Sequence, residues 1–315
     1  MWNTVVPRIL QPDFTWPRTI HYKISEVTPA VPRLPGKTTR KAWGLFHKAL
    51  YYLSEYYCSW FHIHFDPHIV QLPFGLVMKW TDRTSLEEAA AMQMVEAAGI
   101  PVPKFLSCGE HPADPSNRKY SILMTRIPGI ALENSFDPFQ ADTEEPWLYE
   151  LRTCLHSMRQ WRPPCPTSIC SAIGTCLRGP RIPCHIMGPF ANKEEFYEYL
   201  FSPASSHGFK SITAYKQALS CARKLEHHSH RVTFTHGDFK AHNIMVDDDG
   251  HLSGFIDWES AGWYPEYWEF TTAMRFGRSS WWYQAASWMG GDQYSDELAS
   301  DIALNLLTVD SYIAM

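Results

Sequence analysis

The chain has 315 residues, of which 45% are hydrophobic and 19% charged, and its formal net charge is −5. This balance excludes wholesale disorder, and the length allows one large or two modest domains with a sizeable core. A net negative charge argues against a nucleic-acid-binding surface, which needs a basic stripe. Because no apolar run is long enough to span a membrane and no basic patch precedes an apolar N-terminal run, we expect a cytoplasmic protein without a membrane partner.

The first third of the chain predicts an arm, a helix and a pair of strands. Residues 1–40 are polar and punctuated by prolines, which indicates an extended arm packed on the body. Residues 40–59 predict an amphipathic helix that packs on the core. Its expected buried stripe is Trp43, Phe46, Ala49, Leu50, Leu53 and Tyr57. Residues 68–80 predict two strands joined at Pro73-Phe74-Gly75, and the second strand ends at Lys79.

A second helix and a further strand follow. Ser85 with Glu88 three residues later is a capping box, and residues 89–98 are strong helix formers. Gly99 ends this helix, and prolines follow it. Residues 120–129 predict an apolar strand that leads into a turn.

The middle of the chain alternates helices with an irregular segment. Residues 147–161 predict a helix with an apolar stripe of Leu148, Leu151, Leu155 and Met158. Residues 163–189 are rich in Pro, Gly and Cys, which is typical of a functional loop or lid. Further helices are predicted over residues 194–201, 212–228 and 296–313.

Two groups of potential metal ligands lie in these segments. Five of the eight cysteines fall in or beside the Pro-rich segment near His185, namely Cys154, Cys165, Cys170, Cys176 and Cys184. Their spacings match no structural zinc pattern, and free, mostly buried thiols are the better interpretation. His227, His228 and His230 could bind a metal, but a solvated helix end with cationic residues is favoured.

A hairpin of two short strands, Ile244–Val246 and residues 252–256, is predicted by the acidic, glycine-closed turn between them. The hairpin brings three polar side chains to one place: Asp238 and Asn243 before the first strand, and Asp257 after the second. Two carboxylates and an amide supply hard oxygen ligands and a base. Such groups can hold magnesium-bound phosphates and accept a proton from an attacking hydroxyl.

His236, Asp238 and Asn243 have the spacing of the kinase catalytic loop, H-x-D-x-x-x-x-N. Lys240 follows the aspartate by two residues, where a cation could reach a transferring phosphoryl group. Gly237, and Ile-Asp-Trp-Glu in place of Asp-Phe-Gly, depart from protein kinases. In these features the sequence resembles the aminoglycoside phosphotransferase and choline kinase families, most closely their fungal-type members. A Pro-Glu-Tyr-Trp-Glu run further along is also similar to those members, and the resemblance covers roughly residues 68–275.

The resemblance implies an α+β, bilobal protein-kinase-like fold. A small lobe with an antiparallel sheet, together with the arm, would occupy residues 1–127, and a mostly helical large lobe residues 128–315. ATP and Mg²⁺ would be the cofactors, bound between the lobes. Lys79 would contact the nucleotide phosphates and Glu88, with Glu87 as second choice, would pair with it. Asn243 and Asp257 would hold Mg²⁺, and Asp238 would act on the substrate hydroxyl.

Two parts of the implied site have weaker signatures. The backbone of the hinge would hydrogen-bond adenine at Met124, Thr125, Arg126 and Ile127. Candidate acceptor-binding residues are Glu259, Trp263 and Glu266, since aromatic and acidic groups suit an amine-bearing or ring-containing alcohol such as an aminoglycoside, a choline-like compound or a secondary metabolite. The alternative, in which the aromatics pack the large lobe and the glutamates cap a helix or bind arginine, explains Trp263 and Glu266 equally well and is favoured for Trp268 and Glu269.

We therefore expect an ATP- and Mg²⁺-dependent phosphotransferase that acts on the hydroxyl of a small molecule. The rival is a catalytically silent nucleotide- or metabolite-binding module, because no Gly-rich loop precedes Lys79 and residues 62–67 would have to cover the phosphates. Retention of Lys79, Asp238, Asn243 and Asp257 opposes that rival. A protein kinase is disfavoured, since no Ala-Pro-Glu segment or Ser/Thr-bearing activation loop follows Asp257. The sequence does not predict an oligomeric state.

Overall fold

The computed structural model describes residues 6–17, 23–112, 117–135, 145–179, 186–275 and 277–313. The helices are α1 (Lys37–Phe61), α2 (Leu86–Ala97), α3 (Leu132–Ser135), α4 (Pro146–Arg159), α5 (Lys193–Phe201), α6 (Ile212–Ala222), α7 (Trp268–Met274), α8 (Trp281–Trp288) and α9 (Ser295–Ile313). The strands are β1 (Ile69–Leu72), β2 (Leu76–Lys79), β3 (Phe105–Glu110), β4 (Tyr120–Thr125), β5 (Ile130–Ala131), β6 (Cys170–Ser171), β7 (Leu177–Arg178), β8 (Ile186–Met187), β9 (Val232–Thr235), β10 (Ile244–Val246), β11 (Leu252–Phe255) and β12 (Gly262–Pro265).

The N-terminal half is built on an antiparallel sheet of strand order β1-β2-β4-β3. The predicted turn between β1 and β2 is confirmed: Leu72 pairs with Leu76, and Phe74 and Gly75 adopt the positive φ values of 66° and 60° that so tight a turn requires. One face of the sheet buries residues such as Met78 against α1, and the other buries Ile122 against α2. The sheet therefore lies between two helices, with Lys79 at the end of an inner strand.

Helix α2 begins as the sequence predicts. Ser85 is its N-cap, and the Ser85 side chain accepts a hydrogen bond from the backbone N–H of Glu88 at 3.2 Å. The helix then buries seven of its twelve residues between the sheet and the rest of the molecule.

Helix α1 is longer than predicted, and three of the six residues of its predicted buried stripe, Phe46, Ala49 and Leu53, are exposed. Phe46 and Leu53 are 50% and 47% exposed, whereas Gly44, His47 and Cys58 are buried. The helix packs on the sheet through its small and polar residues. At Gly44 the helix backbone lies directly against the backbone of Glu110, where a Cβ would collide. Apolar periodicity located this helix and placed Tyr57 and Leu50 on the core side correctly, but it did not find the small and polar residues that make most of the buried face.

The N-terminal arm lies along the body, as predicted, over its described residues. The backbone N–H of Phe74 donates to Ile9 O at 2.9 Å, and the Trp16 indole N–H donates to Phe74 O at 2.8 Å. Further on, Ser25 N–H donates to Ala98 O at 2.9 Å. The arm thus covers the β1–β2 turn and the end of α2.

The C-terminal half contains the main hydrophobic core and the predicted hairpin. Strand β10 pairs with β11, with Ile244 opposite Phe255, and β5 lies on the other side of β10. The apolar stripe of α4 is buried as predicted. Strands β9 and β12, which the sequence analysis did not predict, pair antiparallel with each other, and β12 also pairs with β6 on its other side.

The Pro-rich segment is not wholly irregular, because β6, β7 and β8 fall within it. Cys184 and His185 lie outside the described residues, and the cysteines within them are free thiols. Among the helices that the structure describes, none is both long and apolar enough to cross a bilayer. The division of the chain at residue 127 stays a prediction.

Candidate active site

The loop between β9 and β10 carries the kinase-like motif, and a buried histidine within it, His236, fixes its position. Gly237 has a φ of 81°, and a Cβ there would collide with the Ser260 carbonyl. His236 is fully buried. Its Nε2 lies 2.9 Å from Ile256 O, and its Nδ1 lies 3.3 Å from the Asp238 backbone nitrogen. The motif loop is thus tied to the far strand of the hairpin.

These contacts fix the protonation of His236. A carbonyl can only accept, so Nε2 carries the proton and donates to Ile256 O, while Nδ1 accepts from the Asp238 N–H. Burial lowers the pKa of His236, although the nearby charges of Asp238 and Asp257 oppose that shift. The imidazole is therefore a neutral structural link and not an acid or base.

Asp238 and its neighbours form the predicted polar group. The Asp238 carboxylate forms an ion pair with Lys240, whose Nζ lies 2.8 Å from Asp238 Oδ1. The Asn243 side-chain amide nitrogen donates to Asp238 O at 2.9 Å, so the amide oxygen of Asn243 is the atom left for a cation. The structure brings Asp238, Lys240 and Asn243 together as the spacing predicts.

The second half of the site is centred on Lys79, which is 6% exposed. Its Nζ lies 2.9 Å from Glu88 Oε1, 2.6 Å from Asp257 Oδ1 and 3.1 Å from Glu259 Oε2. The expected pairing with Glu88 is present. Glu87 instead accepts a hydrogen bond from the Thr175 hydroxyl at 2.7 Å.

A second cation, Arg83, also pairs with Glu259. We call Lys79, Arg83, Glu88, Asp257 and Glu259 the lysine cluster. Its two cations face three carboxylates, which leaves one negative charge in excess when all are ionised. Sequence reasoning missed Arg83, because a lone arginine in a turn carries no pattern.

Burial and charge shift the pKa values of the cluster in opposite directions. Burial raises the pKa of Glu88 to about 7, with Lys79 opposing the shift. Burial also favours a raised pKa at Asp257, but the adjacent Lys79 charge outweighs it and holds that pKa below its ordinary value. The three surrounding carboxylates overcome burial at Lys79 and raise its pKa, so Lys79 stays charged.

Asp257 has an unusual backbone. It adopts the left-handed conformation, with φ 64° and ψ 65°, between β11 and the short 3₁₀ turn Trp258–Ser260. A residue other than glycine is seldom found there. The chain turns at Asp257, and the carboxylates of Asp257 and of Glu259, two residues later, both contact Lys79.

The hinge offers fewer backbone groups than predicted. Met124 pairs with Val77 within the sheet. Thr125 N–H donates to Lys104 O at 3.1 Å, and Arg126 N–H donates to Gly75 O at 2.8 Å. Of the predicted N–H donors, Ile127 is the one whose N–H makes no backbone hydrogen bond within the described residues.

The predicted acceptor residues do not gather at one surface. Glu259 belongs to the lysine cluster and is 6% exposed. Trp263 is 1% exposed, with its ring centroid 5.1 Å from that of Phe234. Glu266 lies at the other end of β12 and pairs with Arg231 at 2.9 Å. All three side chains are engaged within the protein.

Glu269, for which the sequence favoured a helix cap or an arginine partner, contacts the motif loop. It is 1% exposed, and its Oε2 accepts a hydrogen bond from Gly237 N–H at 3.2 Å. A buried carboxyl on α7 therefore supports the motif loop. A glutamate in an aromatic run gave no signal for this contact.

The oxygen donors of the site fit a hard divalent cation. Asp257 supplies a carboxylate and Asn243 an amide oxygen, which are groups that Mg²⁺ accepts. When its three carboxylates are ionised, the lysine cluster carries one negative charge in excess, which adds a favourable potential for a cation beside it.

The protein has a two-lobed α+β fold, and its site combines a lysine, a glutamate, two aspartates and an asparagine. These features are those of the kinase-like phosphotransferases. The sequence model described as the phosphotransferase enzyme family matches residues 66–298. The chain belongs to this family, which confirms the predicted resemblance and the predicted class of enzyme. No curated protein sequence matches the chain significantly.

Solved structures support the same fold. The apo form of a thermostable mutant of aminoglycoside phosphotransferase APH(4)-Ia is 16% identical, with a TM-score of 0.54 over 76% of this chain and 80% of that one. A ternary complex of that enzyme with ADP and hygromycin B is 14% identical, with a TM-score of 0.54 over 83% and 93%. The GDP complex of an aminoglycoside 2'-phosphotransferase-IIIa mutant is 10% identical, with a TM-score of 0.53 over 78% and 82%. The predicted bilobal kinase-like fold is confirmed.

Proposed function

We propose that this protein transfers the γ-phosphoryl group of ATP, with Mg²⁺, to a hydroxyl of a small molecule. The observation that carries the proposal is the lysine cluster, in which a buried, charged Lys79 meets Glu88 and Asp257 beside the Asp238 loop. A solved relative of the same fold binds ADP and hygromycin B, which supports a nucleotide and a small hydroxyl-bearing acceptor.

Each residue has a distinct task in the proposed reaction. Lys79, oriented by Glu88, would bind the phosphates of the nucleotide, and Ile127 N–H would meet the base. Asn243 and Asp257 would hold Mg²⁺, which when bound neutralises phosphate charge. Catalysis of this kind depends on positioning and electrostatic stabilisation.

Asp238 would accept the proton of the acceptor hydroxyl. Its carboxylate is kept in place by Lys240 and by the Asn243 contact to its own backbone. Lys240 would then face the transferring phosphoryl group. Glu259 is proposed to hold Lys79 and Arg83, and we assign no acceptor contact to Trp263 or Glu266.

The catalytic part of the proposal is tested with Asp238→Asn. We expect phosphoryl transfer to a panel of amine-bearing and ring-containing alcohols to fall by about 10²–10⁴-fold, because a positioned base is lost. Calorimetric binding of ATP should be largely unchanged. Asp248→Asn, an exposed aspartate in the hairpin turn, is the matched control. Full turnover in the Asp238 variant would exclude this residue as the base.

The nucleotide part is tested by titrating ATP with and without Mg²⁺ into wild type and Asp257→Ala. We expect binding that depends on Mg²⁺ in wild type and is lost in the variant. Absence of any binding in wild type would contradict the proposal and favour a silent metabolite-binding module.

A further inference from the structure

Three potential metal ligands converge far from the motif loop, where the segment before β9 meets the first turn of α9. His230 Nε2 lies 3.4 Å from Glu297 Oε1, and His228 Nδ1 lies 3.6 Å from the same oxygen. All three donor atoms lie within 4.8 Å of one another. Two imidazoles and one carboxylate, from two separate elements, thus point at one spot.

The distances match shared coordination better than hydrogen bonding. A histidine–carboxylate hydrogen bond closes to about 2.7–3.2 Å. Donors that share a tetrahedral zinc ion at about 2.0–2.1 Å are held roughly 3.3 Å apart. The two donor separations at Glu297 lie near the second value and outside the first.

His230 supplies an independent observation. Its side chain is 6% exposed, yet its Nε2 makes no hydrogen bond, and this atom faces the convergence point. A buried imidazole nitrogen without such a partner is costly.

A carboxylate lies on the other side of the His230 ring, and His228 is partly open to solvent. The other ring nitrogen of His230 faces Glu266 Oε1 at 3.9 Å, and Glu266 is itself held by Arg231. The His228 side chain is 46% exposed, so a fourth position could be open to water.

We propose that His228, His230 and Glu297 form a binding site for a zinc-like divalent transition metal. Two imidazoles and a carboxylate with an open fourth position suit Zn²⁺ or Co²⁺. The ion would join α9 to the segment that leads through β9 into the motif loop. This proposal does not depend on the proposed phosphotransfer, and it reverses the sequence-based preference for a solvated helix end.

The test is calorimetric titration of Zn²⁺, and of Co²⁺ followed by its visible absorption, into the chelator-treated full chain. Excess Mg²⁺ and a non-chelating reductant are present throughout. We expect one ion per chain in wild type and at least about a 10-fold weaker affinity in His228→Ala and in Glu297→Gln. His227→Ala, an exposed neighbour outside the cluster, should bind as wild type does.

Thermal unfolding gives a second readout that does not involve activity. At free Zn²⁺ of about 100 times the wild-type Kd, the unfolding equilibrium constant should fall about 100-fold in wild type and by about 10-fold or less in the Glu297 variant. Wild-type affinity in either cluster variant, or no binding by wild type, would overturn the proposal.

Discussion

Two glycines with similar backbone angles differ in what surrounds them. Gly237 and Gly250 have φ values of 81° and 78°. A Cβ at Gly237 would strike the Ser260 carbonyl, whereas a Cβ at Gly250 would meet open space. The motif loop therefore needs glycine both for its positive φ and for lack of space, whereas the hairpin turn needs it only for its positive φ.

We predict that Gly237→Ala destabilises the protein by more than Gly250→Ala does. Both changes impose positive-φ strain of about 1 kcal/mol, and only the first adds a backbone collision. Chemical denaturation of the two variants measures the difference. Equal losses would show that the loop relaxes away from Ser260.

Glu269 makes stability depend on pH in a defined window. Burial, opposed by hydrogen bonds such as the one from Gly237 N–H, raises its pKa from 4.5 to about 7. Between these values the unfolded carboxyl is ionised while the folded one still holds its proton. Its contribution to stability is thus complete below pH 4.5 and is lost as the pH rises through 7.

We predict that Glu269→Gln abolishes this part of the pH dependence. Between pH 4.5 and 7, wild type should lose roughly 3 kcal/mol of unfolding free energy relative to the variant. Denaturation curves collected across that range for both proteins provide the comparison, and the other buried carboxyls cancel in it. Parallel pH profiles would contradict the raised pKa.

At the scale of the element, α1 shows where an apolar pattern misleads. Its outer face carries large side chains such as Leu45, Tyr56 and Trp60, each 76% exposed. Its inner face carries His47, which hydrogen-bonds the hydroxyls of Ser121 and Ser107 at 2.7 and 2.9 Å. Periodicity finds the spacing of a helix, but polar contacts across the sheet decided which face is buried.

We predict that Phe46→Ala costs less than about 1 kcal/mol, as surface substitutions generally do. His47→Ala should cost more, about 1–3 kcal/mol, because it leaves buried hydroxyls with fewer partners. The free energies of unfolding of these adjacent variants measure the contrast. A larger loss at Phe46 would show that the outer face is covered in solution.

At the scale of the whole molecule, the lysine cluster links the small sheet to the hairpin of the C-terminal half. Lys79 ends β2, and its partners Asp257 and Glu259 follow β11. Removal of one member of a buried ion-pair network leaves uncompensated charge, which is costly. The same contacts that would bind nucleotide phosphates therefore also stabilise the fold.

We predict that Lys79→Met lowers the unfolding free energy by about 3–5 kcal/mol at pH 8 and by less at pH 5. At the lower pH Glu88 is neutral, since burial raises its pKa to about 7, so removal of Lys79 leaves one uncompensated carboxylate fewer. Lys104→Met, which changes an exposed lysine, is the control. Equal losses at both pH values would contradict this account.

The sequence predicted the features that depend on residues close together in the chain, and it missed the contacts between residues far apart in the chain. The hairpin around Asp247–Gly250, the Ser85 cap and the kinase-like spacing depend on neighbours within a few residues, so pattern alone located them. The pairing of β9 with β12, the contact of Arg83 with Glu259 and the support of Gly237 by Glu269 join segments far apart in the chain. Composition and periodicity hold no information on such pairs, because only the folded topology brings them together.

At position 257, the residue that is best for folding differs from the residue that is best for the proposed chemistry, because the backbone there is left-handed. Glycine would relieve the strain of φ 64° and would still leave Lys79 paired with Glu88 and Glu259. In a library randomised at position 257, survivors of a proteolysis screen should therefore be enriched in glycine, whereas a screen for phosphoryl transfer should return aspartate. Retention of a strained aspartate over glycine would then record a history of selection for activity.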